Sequence, residues 1–268
     1  MVRIISLINN KGGVGKTTSC LNIGIALGKK GKKVLLVDID PQANLTNKFI
    51  KNISSIPYTI KDLLEGTIDE VEEVIKKNVA ENVDLLPSNN LLNATEEVII
   101  GKKARENLLK RILDPVKNNY DYILIDNPPS LNLLVDNSLT ASTEAIIPIA
   151  PEYDALTGTT TIIREMNEIR QYLNPNLRLI GVITTKYDER TNNDKEIAEA
   201  IKENFKDLNY NTIIRTNVKI KDATNNHTNV IEYDPTSNGA IDYLALAEEI
   251  IGQEEEEIEE LLGGVNNE

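Results

Sequence analysis

Short apolar runs recur along the chain and set its architecture. Residues 4–8 (Ile-Ile-Ser-Leu-Ile), 34–37 (Val-Leu-Leu-Val), 122–125 (Tyr-Ile-Leu-Ile), 145–149 and 179–184 read as strands. Their near-continuous hydrophobicity fits strands buried on both faces, as in parallel sheets. Residues 84–87 read as an edge strand. Helical spacing predicts a helix over 17–27, with Leu21, Ile25 and Leu27 apolar and Gly28 and Gly31 closing it. Residues 60–64 and 71–79 predict short helices, and 159–173 a longer one. Residues 95–113 predict one amphipathic helix with Val98, Ile99, Leu108, Leu109 and Ile112 on its apolar side. Near the end, Ile250, Ile251, Ile258, Leu261 and Leu262 recur at helical spacing. They predict an acidic amphipathic helix, or a docked extension frayed at Gly263-Gly264. Strands alternating with helices predict an α/β fold, a doubly wound, mostly parallel sheet flanked by helices. No repeat or linker divides the chain, so a single domain is expected.

The first strand runs into Lys11-Gly12-Gly13-Val14-Gly15-Lys16-Thr17-Thr18. This fits the phosphate-loop pattern G-x-x-x-x-G-K-[ST] except for its spacing and one extra lysine, Lys11, at the mouth. Strand, glycine loop and helix together aim backbone N–H groups and a helix N-terminus at phosphate. Lys16 is placed to reach the β- and γ-phosphates, and Lys11 is free to reach phosphate elsewhere, including in a second subunit. Two further strands end in carboxylates, at Asp38-Ile39-Asp40-Pro41-Gln42 and at Asp126-Asn127-Pro128-Pro129-Ser130. The C-terminal ends of parallel strands lie on the ligand side of such a sheet. An apolar strand ending in Asp beside a phosphate loop is the Walker-B arrangement, in which Asp126 and the Thr17 hydroxyl serve magnesium.

These residues carry a resemblance. The chain resembles the ParA/MinD family of P-loop ATPases, and within it the short Soj-type ParA partition ATPases. The matching blocks are residues 11–17, 36–42 (Leu-Val-Asp-Ile-Asp-Pro-Gln), 125–131 (Ile-Asp-Asn-Pro-Pro-Ser-Leu), 152–158 (Glu-Tyr-Asp-Ala-Leu-Thr-Gly), 187–191 (Tyr-Asp-Glu-Arg-Thr) and 233–240 (Tyr-Asp-Pro-Thr-Ser-Asn-Gly-Ala). The resemblance implies a P-loop NTPase domain over 1–250, with 251–268 as an acidic extension, and slow, partner-stimulated hydrolysis of ATP with Mg2+. Lys11 becomes the signature lysine that crosses a dimer interface, and Gly12 sits where the subunits meet. Gly13, Val14, Gly15, Lys16, Thr17 and Thr18 cradle the nucleotide, with Arg215 and Asn217 also assigned to it. Thr17 and Asp126 serve the metal, and Asp40 positions the attacking water. Asn127 replaces a small residue after the Walker-B aspartate. Asp154 and Thr157 replace Tyr and Glu in the 152–158 block.

Charge shapes the choice of partner. The formal net charge is −13, opposite to the basic footprint of a DNA binder. Nine of the acidic residues fall within 248–268, where no basic residue occurs, and setting those nine aside brings −13 to −4. Between Lys186 and Lys221, eight basic residues face seven acidic ones. The resemblance places DNA contacts at Arg190 and at Lys219, where relatives carry arginine. It implies an ATP-dependent homodimer that binds double-stranded DNA nonspecifically and a ParB-like centromere-binding partner. The expected place is cytoplasmic and nucleoid-associated.

Other classes are weighed against this one. MinD-like relatives lie on membranes through a basic C-terminal helix, whereas here the polar face is almost all Glu, so no membrane partner is expected. The alternative kept open is a MinD-like or cargo-positioning ATPase acting on a protein or membrane platform. Thr185-Lys186-Tyr187-Asp188 matches the T-K-x-D guanine signature of some GTPases, an alternative carried by three residues. One cysteine, Cys20, excludes a bridging iron–sulfur cluster needing two per subunit. It is read as a core residue, and His227 as part of a polar loop.

Overall fold

The computed structural model describes residues 2–265, with side-chain surroundings through residue 254. In chain order the elements are β1 (Arg3–Leu7), α1 (Lys16–Lys29), β2 (Val34–Asp38), α2 (Ile60–Glu65), α3 (Val71–Val74), β3 (Lys76–Ala80), β4 (Val83–Leu86), α4 (Thr95–Ile99), α5 (Leu108–Leu113), β5 (Tyr122–Asp126), α6 (Leu133–Ala141), β6 (Glu144–Ile149), α7 (Ala155–Tyr172), β7 (Arg178–Thr184), α8 (Asn192–Phe205), α9 (Val218–Asn225), α10 (Val230–Tyr233) and α11 (Asn238–Val265). The seven strands form one sheet in the order β3-β4-β2-β5-β1-β6-β7. All neighbours are parallel except the β3–β4 pair.

The fully buried residues of β1, β2 and β5 make the centre of the sheet. Helices α1, α10 and α11 close one face around Ile23, Leu36, Leu124 and Tyr243. Helices α2, α4, α5 and α6 cover the other around Leu35, Leu109 and Ile125. Helices α7 and α8 extend the layer beside β6 and β7 through Ile162, Met166 and Ile201. Leu7 and Asp38 are both in register with Asp126. Three strands therefore end level, and the glycine loop, Asp38 and Asp126 share one edge of the sheet. No helix among the described residues is long and apolar enough to cross a membrane.

Three sequence expectations are corrected. Residues 71–79 are not one helix: α3 ends at Val74 and β3 follows, pairing antiparallel with β4. Asn78 and Asn82 take left-handed backbone angles, φ 53° and 57°, at the hairpin, a conformation asparagine tolerates. The strand at 84–87 is consequently inside the sheet, and β3, which opens with the adjacent Lys76 and Lys77, is the edge. Residues 95–113 are two helices, because the chain turns through Gly101 and a left-handed Ala104 (φ 49°). Arg105 Nη1 donates to Ile100 O at 2.6 Å across that turn, and Val98 is 52% exposed rather than on the apolar side.

Helix α11 is continuous through Gly252 to Val265, without fraying at Gly263-Gly264. Arg3 Nη1 donates to Ile250 O at 2.6 Å, Tyr122 Oη to Glu254 at 2.7 Å and Tyr210 Oη to Gln253 at 2.9 Å. The side chains of Ile258, Leu261, Leu262 and the glutamates beyond Glu254 lie outside the described residues. Cys20 is buried and free. His227 lies on an exposed turn, its Nδ1 2.9 Å from Asn47 O.

Candidate functional site: a phosphate loop facing three carboxylates

The loop between β1 and α1 is built by its own polar groups. Asn9 Nδ2 donates to Pro148 O at 2.7 Å, while its Oδ1 accepts from Lys11 N at 2.9 Å. Gly13 and Gly15 have φ of 78° and 91°, angles that cost a residue with a Cβ. Helix α1 then starts at Lys16 with no acidic residue in its first turn, so its N-terminal dipole stays open to an anion. Lys16 folds back over the loop, its Nζ donating to Asn9 O at 2.8 Å and Lys11 O at 3.1 Å. Burial lowers its pKa, against the pull of Asp126 and Asp40.

Three strand-end carboxylates face this lysine. Asp126 is completely buried, and neither carboxylate oxygen has a hydrogen-bond partner of ordinary geometry, although the Thr17 hydroxyl is near enough to favour its charge. Burial and the Asp38 charge push its pKa well up. Asp38 is satisfied instead: Oδ1 accepts from Asp40 N at 3.1 Å, and Oδ2 from Thr46 N and Thr46 Oγ1 at 2.8 and 2.7 Å. Burial still raises it to about 7. Asp40 Oδ1 accepts from Gln42 N at 2.8 Å, leaving Oδ2 without a hydrogen bond among the described residues.

An unpartnered buried carboxylate is costly, and here it sits beside a hydroxyl at the mouth of a phosphate cradle. That donor set fits magnesium, which keeps several waters and takes one or two carboxylates plus phosphate oxygens. Among the described residues no group of three or more His, Cys, Asp or Glu is arranged to cage a metal alone, which is consistent with that shared coordination.

Lys11 is held within its own subunit. Its Nζ pairs with Glu152 at 2.6 Å and with Asp154. The Asp154 bond, followed by the Glu152 bond, raises its pKa. The Asp154 replacement noted in the sequence therefore supplies a partner to Lys11. On the other side, a cavity of about 440 Å3 opens between Gly15, Thr18, Lys186, Arg215, Asn217 and Tyr243. Arg215 is braced by Asp242, with Nη2 to Oδ1 at 2.5 Å. Asn217 Oδ1 accepts from Lys219 N at 2.8 Å, capping α9. Both residues border the cavity with their side chains already engaged.

Two residues at this site were read in the sequence only as a guanine signature. Thr185 Oγ1 donates to Val14 O at 2.7 Å and braces the loop. Lys186, with φ 53°, places Nζ 4.0 Å from where a Cβ on Gly13 would stand, and it has no ion pair or hydrogen bond from its ammonium among the described residues. The third member, Asp188, accepts from Arg190 N, Nε and Nη2 at 3.0, 2.8 and 2.6 Å. Arg190 pulls its pKa down to about 2. Asp188 does not line the cavity. Lys219 lies 3.8 Å from Asp234 and over the Tyr233 ring. Arg190, in the turn before α8, and Lys219, in the first turn of α9, follow two segments joined by the Tyr187–Arg215 bridge, and each has an acidic neighbour.

A parallel α/β sheet with a glycine loop, a buried lysine and a Walker-B aspartate at one edge defines a P-loop nucleotide-binding protein. The AAA domain family matches residues 2–179. The sporulation initiation inhibitor protein Soj of Bacillus subtilis (strain 168) is 42% identical over 250 residues, covering 93% of this chain and 98% of the relative. The chromosome-partitioning ATPase Soj of Treponema pallidum (strain Nichols) is 37% identical, covering 95% and 99%. Among solved structures, cobyrinic acid a,c-diamide synthase from Mycobacterium smegmatis with bound ATP analogue and magnesium superposes with TM-score 0.82 at 31% identity, covering 94% and 95%. The septum site-determining protein MinD from Pyrococcus horikoshii OT3, complexed with Mg-ADP, gives TM-score 0.78 at 30% identity, covering 93% and 96%. The chain belongs to the ParA/MinD family of P-loop ATPases.

Proposed function

We propose that this chain is a nucleotide-driven DNA-partition switch: it binds ATP with Mg2+, dimerises, holds duplex DNA without reading its sequence, and is reset by slow hydrolysis that a ParB-like partner accelerates. The observation that carries the nucleotide part is the buried Asp126 carboxylate, which has no hydrogen-bond partner of ordinary geometry among the described residues and is set against the Lys16 ammonium and the Thr17 hydroxyl. Residues 1–250 form the ATPase unit and 251–268 its acidic extension.

In this reading the N–H groups of Gly12 to Thr18 and the Lys16 ammonium bind phosphate. Thr17 and Asp126 hold magnesium, Asp126 through its water shell. Magnesium supplies neutralising charge to the phosphate oxygens. Asp40 Oδ2, left open by the bond from Gln42 N to Oδ1, orients the attacking water. Lys11 exchanges Glu152 and Asp154 for phosphate in the partner's site. Phosphoryl transfer relies on positioning and charge, so a site completed only in the dimer is slow alone. Arg190 and Lys219 serve the DNA backbone, trading Asp188 and Asp234 for phosphates.

The test is binding of the Asp40→Ala protein to an arbitrary DNA duplex with ATP–magnesium, with ADP or without nucleotide, at two salt concentrations. Retention with ATP alone, lost as salt rises through counterion release, supports the reading. If the protein dimerises with ATP yet retains no DNA, the DNA part is wrong. One observation favours a second reading, a MinD-like or cargo-positioning ATPase on a protein platform: both proposed DNA-contact residues are already neutralised by their own neighbours, within a chain of net charge −13.

A further inference from the structure

Asp40 is placed by a residue far along the chain. Ser88 follows β4, on the strand next to β2, and its side chain is completely buried. Its Oγ donates to Asp40 O at 2.9 Å, and its N–H donates to Thr46 Oγ1 at 2.9 Å. Thr46 Oγ1 donates in turn to Asp38 Oδ2 at 2.7 Å, and Asp38 Oδ1 accepts from Asp40 N at 3.1 Å. The ring closes: Asp40 is held at its N–H by Asp38 and at its carbonyl by Ser88, with Thr46 joining the two holders. Both peptide groups flanking the Asp40 Cα are held, which sets the direction of its Cα–Cβ bond, and the bond from Gln42 N to Oδ1 holds the carboxylate.

The loop does not take this shape by local preference. Ala43 lies in the left-handed region at φ 52°, buried, with its N–H donating to Asp40 O at 2.9 Å and its carbonyl accepting from Asn47 N at 2.9 Å. A left-handed alanine costs about 1–2 kcal/mol, and such strain persists where surrounding contacts over-determine the backbone. The backbone bonds of Ala43 to Asp40 O and from Asn47 N are those contacts, and the Asp38 and Ser88 bonds hold Asp40 at the start of the same turn.

We infer that Ser88 is a positioning residue for ATP hydrolysis, acting through the Asp40 backbone to hold the Asp40 carboxylate where it orients the attacking water. This rests on the reading of Asp40 given above. Ser88→Ala removes one donor but orphans nothing, because Asp40 O keeps the Ala43 N–H. Its fold should therefore survive.

The experiment compares steady-state ATP hydrolysis and thermal melting of the full chain and its Asp40→Ala, Ser88→Ala and Ser88→Thr variants. We expect Ser88→Ala to lower kcat about tenfold, the scale of a sub-ångström misplacement. Its KM for ATP should stay within about twofold, since binding and turnover are separable losses, and its melting temperature should be close to the parent's. Ser88→Thr, which keeps the hydroxyl, should recover most of the rate. Parent kcat in Ser88→Ala, or a loss that Ser88→Thr does not restore, overturns the inference while Asp40→Ala remains inactive. Parent turnover in Asp40→Ala instead overturns the reading of Asp40 itself.

Discussion

Lys16 and Asp126 are the most constrained charged residues of the site. Each is buried, and each is shifted toward its neutral form by burial. The pair becomes favourable once phosphate and a cation arrive between them, which is how a nucleotide site keeps affinity in reserve. Lys16→Ala is expected to lower ATP affinity by about 100-fold, the loss of a charge-assisted bond worth 1.5–3 kcal/mol, as isothermal titration would show. Its melting temperature should hardly fall, because a buried cation is costly on its own. Lys11→Ala should leave nucleotide binding near the parent value and remove ATP-dependent dimerisation, read by sedimentation. Equal dimerisation in both proteins would refute the crossing role.

At the scale of elements, close approaches decide where the helices lie. A Cβ on Gly28 of α1 would stand 2.4 Å from Glu81 O, in the β3–β4 hairpin. On Gly181 of β7 it would stand 2.1 Å from the Tyr210 ring. Neither backbone nor buried ring yields cheaply, so Gly28→Ala and Gly181→Ala should each destabilise the protein by about 1–3 kcal/mol, as overpacking does, measured by urea unfolding. Asp136 on α6 is a different case. Burial and then the Glu165 charge on α7 raise it to about 7, with Glu106 and Glu96 adding to the effect. A raised carboxyl takes up a proton on folding below that pH, so its penalty grows as pH climbs from about 4 to 7 and then stays. Asp136→Asn should therefore melt higher than the parent at pH 8, with the difference shrinking toward pH 4. A difference independent of pH would argue against this origin.

For the whole molecule, the two ends of the sheet have opposite tasks. The phosphate loop and carboxylates occupy the C-terminal edge. Arg3 and Tyr122, at the starts of β1 and β5, tie Ile250 and Glu254 of α11 to the other edge. The acidic extension is rooted there, away from Arg190 and Lys219. If the chain binds DNA as proposed, the extension would oppose it through long-range repulsion, which salt screens over about 10 Å at 0.1 M. Ending the chain after Glu254 should keep these anchoring contacts and the melting temperature. It should also tighten DNA binding at low salt, a gain that fades at moderate salt. Unchanged binding at low salt would show that the extension has no bearing on DNA.

The sequence by itself determined what local chemistry determines. Apolar runs of strand length, a glycine loop ending in Lys16 and Thr17, and aspartates at strand ends gave the α/β class and the residues that gather at one edge of the sheet, because each signal is carried by neighbouring residues. The edge strand β3 was hidden, since its charged residues pair with a hairpin partner rather than a core. The break in 95–113 was hidden too, because an alanine there takes a left-handed turn that composition does not announce. Ser88 and Thr46 carry no motif and Thr185 belongs only to the T-K-x-D pattern; their contacts appear only when the sheet brings β4 and β7 beside the loops they brace. The engagement of Lys11 and Arg215 with carboxylates was likewise decided by tertiary structure, whereas Arg190 pairs with Asp188 two residues before it. Ion pairs depend on distance in space, and charge counts along the chain do not record it.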